Sequence, residues 1–365
     1  MPNSLVLPEL VFPSRFKKAV KTGGLILARK FTESHFDLGC VCEIKVGGKY
    51  LVEVCRNGQV IRRPFGDEPI KNLITNHLFD QWMGVATAQN LYQYPFMTCS
   101  TGTSATAAAN SDIKLGAYYQ YGSTLFTGGG MGYVIDTTVV GGYTPTLIYE
   151  LPAAAGAVTL NEMGCVWTGE GAANPNITTH VIFPSGVSLN AGDNIRITYT
   201  FTITIPSALT AITVSLAPVN GFNISGQIKW LGQFTNAFGT VSSGGGWSTA
   251  TNFYGFTYLV QANYPATMCS APTAFPAINV TPSITSLANN SGGSTGTYTN
   301  GSFTRTFTST WNPSTPSSTV NNVNGFALCA ASAGANYPYL LLTSAQTKAN
   351  TNTLSFSGSI TCSRL

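Results

Sequence analysis

A chain of 365 residues is long enough for two or three domains, yet only 9% of it is charged, while 11% is aromatic. Sparse charge with abundant Gly, Ser, Thr, Asn and Ala and frequent β-branched residues excludes a disordered composition and points to pleated surfaces joined by many turns, hence a mainly β fold. The charge is uneven: residues 1–71 carry 12 Lys and Arg against 7 carboxylates, a net of +5, whereas residues 206–365 hold Lys229, Arg305, Lys348 and Arg364 but no Asp, Glu or His. General acid–base catalysis normally draws on His or a carboxylate, and calcium on carboxylate oxygens, so neither ordinary acid–base chemistry nor a typical calcium site is expected in the C-terminal stretch.

Residues 1–35 read as an extended arm. Pro2, Pro8 and Pro13 interrupt any helix, and the segment is too apolar for an idle tail. Leu5, Leu7, Leu10 and Phe12, with Arg15, Lys17 and Lys18 of the basic cluster behind them, are the candidate partner-binding residues. No basic leader precedes an apolar core, and no apolar run approaches the roughly 18 to 20 residues that cross a bilayer, so synthesis and folding in a cytoplasm without membrane insertion are expected.

Residues 36–84 read as a small β-meander followed by a connector helix. Gly47-Gly48 and Asn57-Gly58 are two-residue hairpin signals. Taken literally, they set Val46 opposite Lys49, Glu43 opposite Val52, Cys42 opposite Glu53, Cys40 opposite Cys55, and Glu53 opposite Arg62. The helix follows, with Leu73, Ile74, His77, Leu78, Gln81 and Trp82 near one face, Asn72 as its cap and Gly84 as its end. On that face His77 is expected to be a packed, hydrogen-bonded histidine.

Two β-sandwich domains are expected beyond it, at 85–205 and 206–365. The segments 144–205 and 301–363 share an order of elements: an alternating strand (Leu147–Leu151, Phe303–Phe307), then "LNEMG" or "VNGFA", then a strand ending near Phe183 or Leu342, then a closing alternating strand.

Searches for chemistry yield little. "GTSAT" (102–106) lacks the second Gly of a nucleophile elbow, and "LFTGGGMG" (125–132) lacks the Lys-Ser/Thr of a phosphate loop. Asp112, Asp136, Glu150, Glu162, Glu170 and Asp193 stand singly, and nothing in the sequence brings any two together as a hydrolase pair. Cys40, Cys42, Cys55 and His35 make a conceivable zinc set without the usual Cys-x2-Cys knuckle. The other cysteines, at 99, 165, 269, 329 and 362, read as small, reduced core residues. No catalytic residue, metal or cofactor is expected. Among the aromatics of polar loops, Trp247, Tyr254 and Trp311 are the candidate glycan contacts.

"NLITN" (72–76), "YELPAAAGAVTLNEMG" (149–164) and "HVIFPSGVSLNAGDNIRITYTFTI" (180–203) give residues 70–205 a pattern that resembles minor structural proteins of tailed-bacteriophage virions, of the tail or tail-fibre kind. Gly-Leu-Asp usually follows the helix start there; here the chain reads His77-Leu78-Phe79-Asp80. The resemblance implies a non-enzymatic virion building block, assembled in the host cytoplasm as a symmetric homo-oligomer with other virion structural proteins as partners. Nucleic acid is not expected to be a partner. The alternatives are a glycan-binding receptor-recognition module that meets host-surface glycan, and a capsid decoration protein. The C-terminal segment 206–365, with four cations and no acidic residue, is expected to attract acidic surfaces weakly.

Overall fold

The longest element is a strand of 25 residues, β1 (Thr32–Arg56), which spans about 80 Å at roughly 3.3 Å per residue. The computed structural model describes residues 32–84, 98–123, 133–136, 141–166, 175–231, 266–277, 283–313, 318–328 and 337–365, and they are mainly β. After β1 come β2 (Gln59–Arg62), β3 (Ile70–Lys71), β4 (Leu73–Ile74), α1 (Asn76–Gly84), β5 (Thr98–Gly102), β6 (Tyr118–Ser123), β7 (Tyr133–Asp136), β8 (Gly142–Glu150), β9 (Val158–Val166), β10 (Thr179–Leu189) and β11 (Asp193–Thr204). The second half holds α2 (Pro206–Leu209), β12 (Ile212–Ser215), β13 (Ser225–Leu231), β14 (Ala266–Ala271), β15 (Thr285–Asn289), β16 (Gly292–Thr295), β17 (Thr304–Trp311), β18 (Val320–Leu328), β19 (Tyr337–Lys348) and β20 (Asn352–Arg364).

These strands form three sheets. The largest runs β16-β17-β20-β1-β11-β8-β7, with β2 and β3 attached to β1; the others run β4-β10-β9-β5-β6 and β12-β13-β19-β18-β14-β15. The large sheet faces both of the smaller ones. On one side Tyr50 Oη of β1 and Tyr149 Oη of β8 reach Cys165 Sγ of β9, at 3.3 and 3.5 Å. Further along the same buried face, Phe326 of β18 packs edge-on against Phe356 of β20, with ring centroids 4.6 Å apart, and against Trp311 of β17 at 5.5 Å. One hydrophobic cluster runs through both halves.

The expected turn at Gly47-Gly48 does not form. β1 continues through it because it finds partners along both edges: β20 runs parallel to it over Thr32–Val46, and β11 antiparallel over Lys45–Arg56. Neither glycine has a positive φ. They are used instead for close approach, since a Cβ on Gly47 would meet the Leu365 side chain, and one on Gly48 would meet Tyr199 and Asn72. The facing of Cys40 and Cys55 falls with that turn, and with it the geometry of the conceivable zinc set: the two cysteines lie well apart along a single strand. Asn57-Gly58 does turn, with φ of 52° and 76°, as a type I′ hairpin requires. A bulge between Val54 and Cys55 puts Val54, not Glu53, opposite Arg62. Glu53 stands opposite Arg196 of β11 and pairs with Arg63 at 2.8 Å.

The two halves repeat one pairing pattern. β8 pairs with β11 and β17 with β20 in the large sheet; β9 pairs with β10 and β18 with β19 in the smaller ones. The correspondence extends upstream, since β5 joins β6 and β9 as β14 joins β15 and β18, and β7 joins β8 as β16 joins β17. It reaches single hydrogen bonds: Asn161 Nδ2 donates to Thr103 O at 2.7 Å, and Asn324 Nδ2 to Ser270 O at 2.6 Å. The counterpart of Leu147 is Phe307, not Phe303. Each pairs with the closing strand at the same distance from its turn, Leu147 with Tyr199 and Phe307 with Gly358. The boundaries expected at 84/85 and 205/206 do not separate sheets, because the large sheet takes strands from all three segments.

The helix starts later than its sequence pattern indicates. Leu73 and Ile74 are strand, paired with His180 and Thr179 of β10, and Asn72 donates its N–H to Gly48 O instead of capping. Leu78, Phe79, Trp82 and Met83 are buried, whereas His77 and Gln81 are only half-buried and line a cleft. α1 lies over β17 and β20: Phe79 packs on Phe303 at 5.1 Å, Arg305 Nη1 donates to Met83 O, and Arg364 Nε donates to Ile74 O at 2.6 Å. Trp82 is 2% exposed. We predict that Trp82→Ala lowers the unfolding free energy by about 3–5 kcal/mol in urea titration, as emptying a large core site does; a change below about 1 kcal/mol would place this face outside the core.

Candidate functional site

The six carboxylates of the middle segment look isolated in sequence, but the fold brings two of them onto one histidine. Glu162 and His180 lie on the paired strands β9 and β10, where Ile182 stands opposite Glu162. Asp112 comes from the connection between β5 and β6. His180 Nδ1 is 2.7 Å from Asp112 Oδ2, and His180 Nε2 is 3.1 Å from Glu162 Oε2. Glu162 is fully buried and His180 is 3% exposed.

Both ring nitrogens of His180 and both carboxylate oxygens of Glu162 are already engaged within the protein. Glu162 Oε1 accepts from the backbone N–H groups of Ala117 at 2.8 Å and Ser104 at 3.2 Å, and Oε2 from Gly116 at 2.9 Å. Asp112 Oδ2 also accepts from Ala109 N–H at 2.6 Å. Glu162 thus accepts from three backbone N–H groups besides facing His180. A general base needs a nitrogen or oxygen facing a substrate, and those of His180 and Glu162 face protein groups instead. The arrangement ties the connection after β5 to the sheet. Gly102 makes this tie compatible with the fold, because a Cβ there would collide with Glu162.

The second copy holds the same place with other side chains. Met163 stands opposite Val181 as Phe326 stands opposite Leu340, so Gly325 and Tyr339 occupy the places of Glu162 and His180. Tyr339 Oη fills the space beside Gly325 and donates to Pro272 O at 3.2 Å, in the connection after β14. The ionic tie of one half is a neutral tie in the other.

Beside Asp112 lies a cleft of roughly 500 Å3, lined by Asn76, His77, Asp80 and Gln81 of α1 and by Ser111, Ile113 and Asn300. Asp80 Oδ1 accepts from Tyr298 Oη and from Gly301 N–H, at 2.5 and 2.7 Å. Among the described residues no group of three His, Cys, Asp or Glu side chains is arranged to hold a metal ion.

The other sequence-derived candidates fare unevenly. Leu5, Leu7, Leu10, Phe12, Arg15, Lys17 and Lys18 lie outside the described residues, as do Trp247, Tyr254 and the glycine-rich stretch 125–132. Trp311 is no glycan contact: it is fully buried, against Phe326 and Phe356, and its Nε1 donates to Ala288 O at 3.3 Å. Glu150 pairs with Arg196 at 3.1 Å and Asp193 with Arg56 at 2.7 Å, both across neighbouring strands. The four C-terminal cations form no surface patch. Arg305 and Lys348 are buried, Arg364 stacks its guanidinium 5.1 Å from the centre of the Phe79 ring, and Lys229 lies over Phe275. The Asp112–His180–Glu162 cluster escaped sequence reading because its members are far apart in the chain and are joined only by the pairing of β9 with β10 and with β5. The one local signal was Gly102, and a glycine in a strand has many causes.

No protein-family model matches the chain, and comparison with curated proteins and with solved structures returns no match.

Two outcomes follow from this geometry. Glu162→Ala removes one partner of a buried ionic cluster and orphans three backbone N–H groups, so it lowers stability by about 3–5 kcal/mol in urea unfolding. The cysteines should differ in reactivity. Cys40 is exposed, whereas Cys99 and Cys165 are fully buried, and burial raises the Cys165 thiol to about 11. Because the thiolate is the nucleophile, a thiol reagent at pH 8 followed by peptide mapping should label Cys40 in the native protein and reach Cys99 and Cys165 only after denaturation.

Proposed function

We propose that the chain is a non-enzymatic structural component of a tailed-phage virion, belonging to the tail or tail-fibre attachment region. It is present in several symmetric copies, contacts other virion structural proteins, and is assembled in the host cytoplasm. The observation that carries this reading is the use of the ionic side chains that reach into the fold. Asp112, His180 and Glu162 fasten a connection, and Arg305 and Arg364 fasten α1, so the polar interior is spent on rigidity. A strand of 25 residues shared by two β layers supports the same reading, because it stiffens the chain along its length. The resemblance of residues 70–205 to virion structural proteins supplies the particular class.

The test is to purify particles through a density gradient and look for the chain by mass spectrometry, then locate it in a map of the intact particle. Recovery in stoichiometric amount, at the tail or fibre base, is the expected result. Location on the capsid shell would reassign it as a decoration protein, and absence from particles would refute the virion reading altogether. Turnover of host-surface polysaccharide by the purified chain would refute its non-enzymatic part.

A further inference from the structure

The five-stranded sheet sets two cysteines face to face. Cys99 of β5 stands directly opposite Cys165 of β9, and among the described residues no other two cysteines share a pairing position. Cys42 and Cys362 lie on neighbouring strands but diagonally, Cys42 opposite Ile360 and Cys362 opposite Ile44. Cys99 and Cys165 are both fully buried, and both are thiols. Packing does not require a cysteine pair there. Two residues beyond Phe326, the counterpart of Met163, Leu328 of β18 stands opposite Ala266 of β14, so in the second half an apolar pair fills the same place.

The hydrogen-bond pattern fixes the kind of pair. A residue of an antiparallel strand points its N–H and C=O to the same edge. Cys165 turns both towards β10: its N–H donates to Thr179 Oγ1 at 2.8 Å, and its C=O accepts from Thr178 N–H at 2.8 Å. It offers neither to β5, so Cys99 and Cys165 form a non-hydrogen-bonded pair. Opposite residues in such a pair have Cα atoms about 4.5 Å apart and side chains on one face. That separation lies inside the range a disulfide spans, roughly 4.4–6.8 Å between Cα atoms. The Cys165 sulfur sits among hydroxyls, with Tyr50 Oη at 3.3 Å and Tyr149 Oη at 3.5 Å. Burial raises both thiols, and the hydroxyls beside Cys165 hold it lower, at about 11. Cys165 is therefore the first nucleophile of the pair.

We propose that Cys99 and Cys165 form a cross-strand disulfide when the chain meets a disulfide oxidant such as oxidised glutathione. The step is thiol–disulfide exchange. The Cys165 thiolate, its proton lost to solvent, attacks one glutathione sulfur and expels a glutathione thiolate. The Cys99 thiolate then attacks Cys165 Sγ in the mixed disulfide and expels the second glutathione thiolate. The protein gives up two protons and two electrons, and the oxidant becomes two reduced glutathiones. β5 and β6 form one end of their sheet, so their opening admits the oxidant to Cys165. In a reducing compartment the pair stays as thiols. In an oxidising one the bond ties β5 to β9 and closes the segment that carries Asp112. The inference stands on strand register and is independent of the virion reading.

The test incubates the reduced full chain with oxidised glutathione at about pH 8.5, in urea below the unfolding transition, where thiolate forms and the sheet end opens. The chain is then denatured in N-ethylmaleimide to block the remaining thiols, and its peptides are mapped without reduction. A Cys99–Cys165 link should be the main protein disulfide, and it should be absent from chain kept in a phosphine reductant. Closing a loop of roughly 65 residues restricts the unfolded chain, so the linked form should melt about 3–8 °C higher, and reduction should abolish the difference. Cys99→Ala and Cys165→Ala should each remove that gain; should either variant fail to fold, the peptide map of the unaltered chain decides. The proposal is overturned if Cys99 and Cys165 are both recovered carrying N-ethylmaleimide, if either is linked mainly to a different cysteine, or if the linked form melts no higher than the thiol form.

Discussion

The structure depends on the backbone pairing of β1 with two different neighbours. Buried N–H and C=O groups must find partners, and a central strand must find them on both edges. β1 obtains them from β20 over its first part and from β11 over its second, and Lys45 and Val46 pair with both. Because β20 is parallel to β1 and β11 antiparallel, the closing strands of the two halves run in opposite directions within one sheet, with Leu354, Phe356 and Ile360 on one and Ile195, Ile197 and Phe201 on the other all turned to the buried face. A two-fold rotation normal to the sheet would relate them in this way. The large sheet is thus one layer serving two sandwich-like halves, each completed by its own smaller sheet.

Within that frame the two halves solve a shared problem with different chemistry. In each, the chain leaves a strand of the smaller sheet and must be held against it. The asparagine solution, Asn161 and Asn324, is the same in both. The deeper tie is ionic in the first half, through Glu162 and His180, and is replaced by the hydroxyl of Tyr339 beside Gly325 in the second. The lack of acids and histidines in residues 206–365 therefore has a structural counterpart: that half holds its connection with a neutral side chain, which avoids the desolvation cost of burying charge.

The cations of the second half follow the same economy. Arg305 bonds the carbonyl of Met83 in the last turn of α1, Arg364 bonds Ile74 O and Asn76 Oδ1 near its start, and Lys348 bonds Asn312 O at 3.1 Å. These groups satisfy carbonyl and amide oxygens at helix and strand ends, where no intrahelical or ladder partner exists. α1 is accordingly more than a connector after β4. It covers the inner face of β17 and β20 at one end and is fastened there by arginines from the distant half of the chain.

Composition and alternation determined the class of fold. Val, Ile, Thr, Tyr and Phe at period two specify strands with one buried face, as in β11, and the order of such segments revealed the duplication of 144–205 in 301–363. Asn57-Gly58 determined its own hairpin, because that dipeptide readily adopts the positive φ angles needed. Gly47-Gly48 carries an equally strong local signal and is overruled, because β11 and β20 offer β1 more backbone pairing than a hairpin would. Tertiary structure also decided that Leu73 and Ile74 join β10 rather than α1, and that Trp311 is core rather than surface. It alone gathered Asp112, Glu162 and His180, and set Cys99 against Cys165. Local sequence limits the conformations each segment can adopt, but strand pairing is non-local, so which residues meet is settled only when distant segments compete for the same hydrogen-bonding edge.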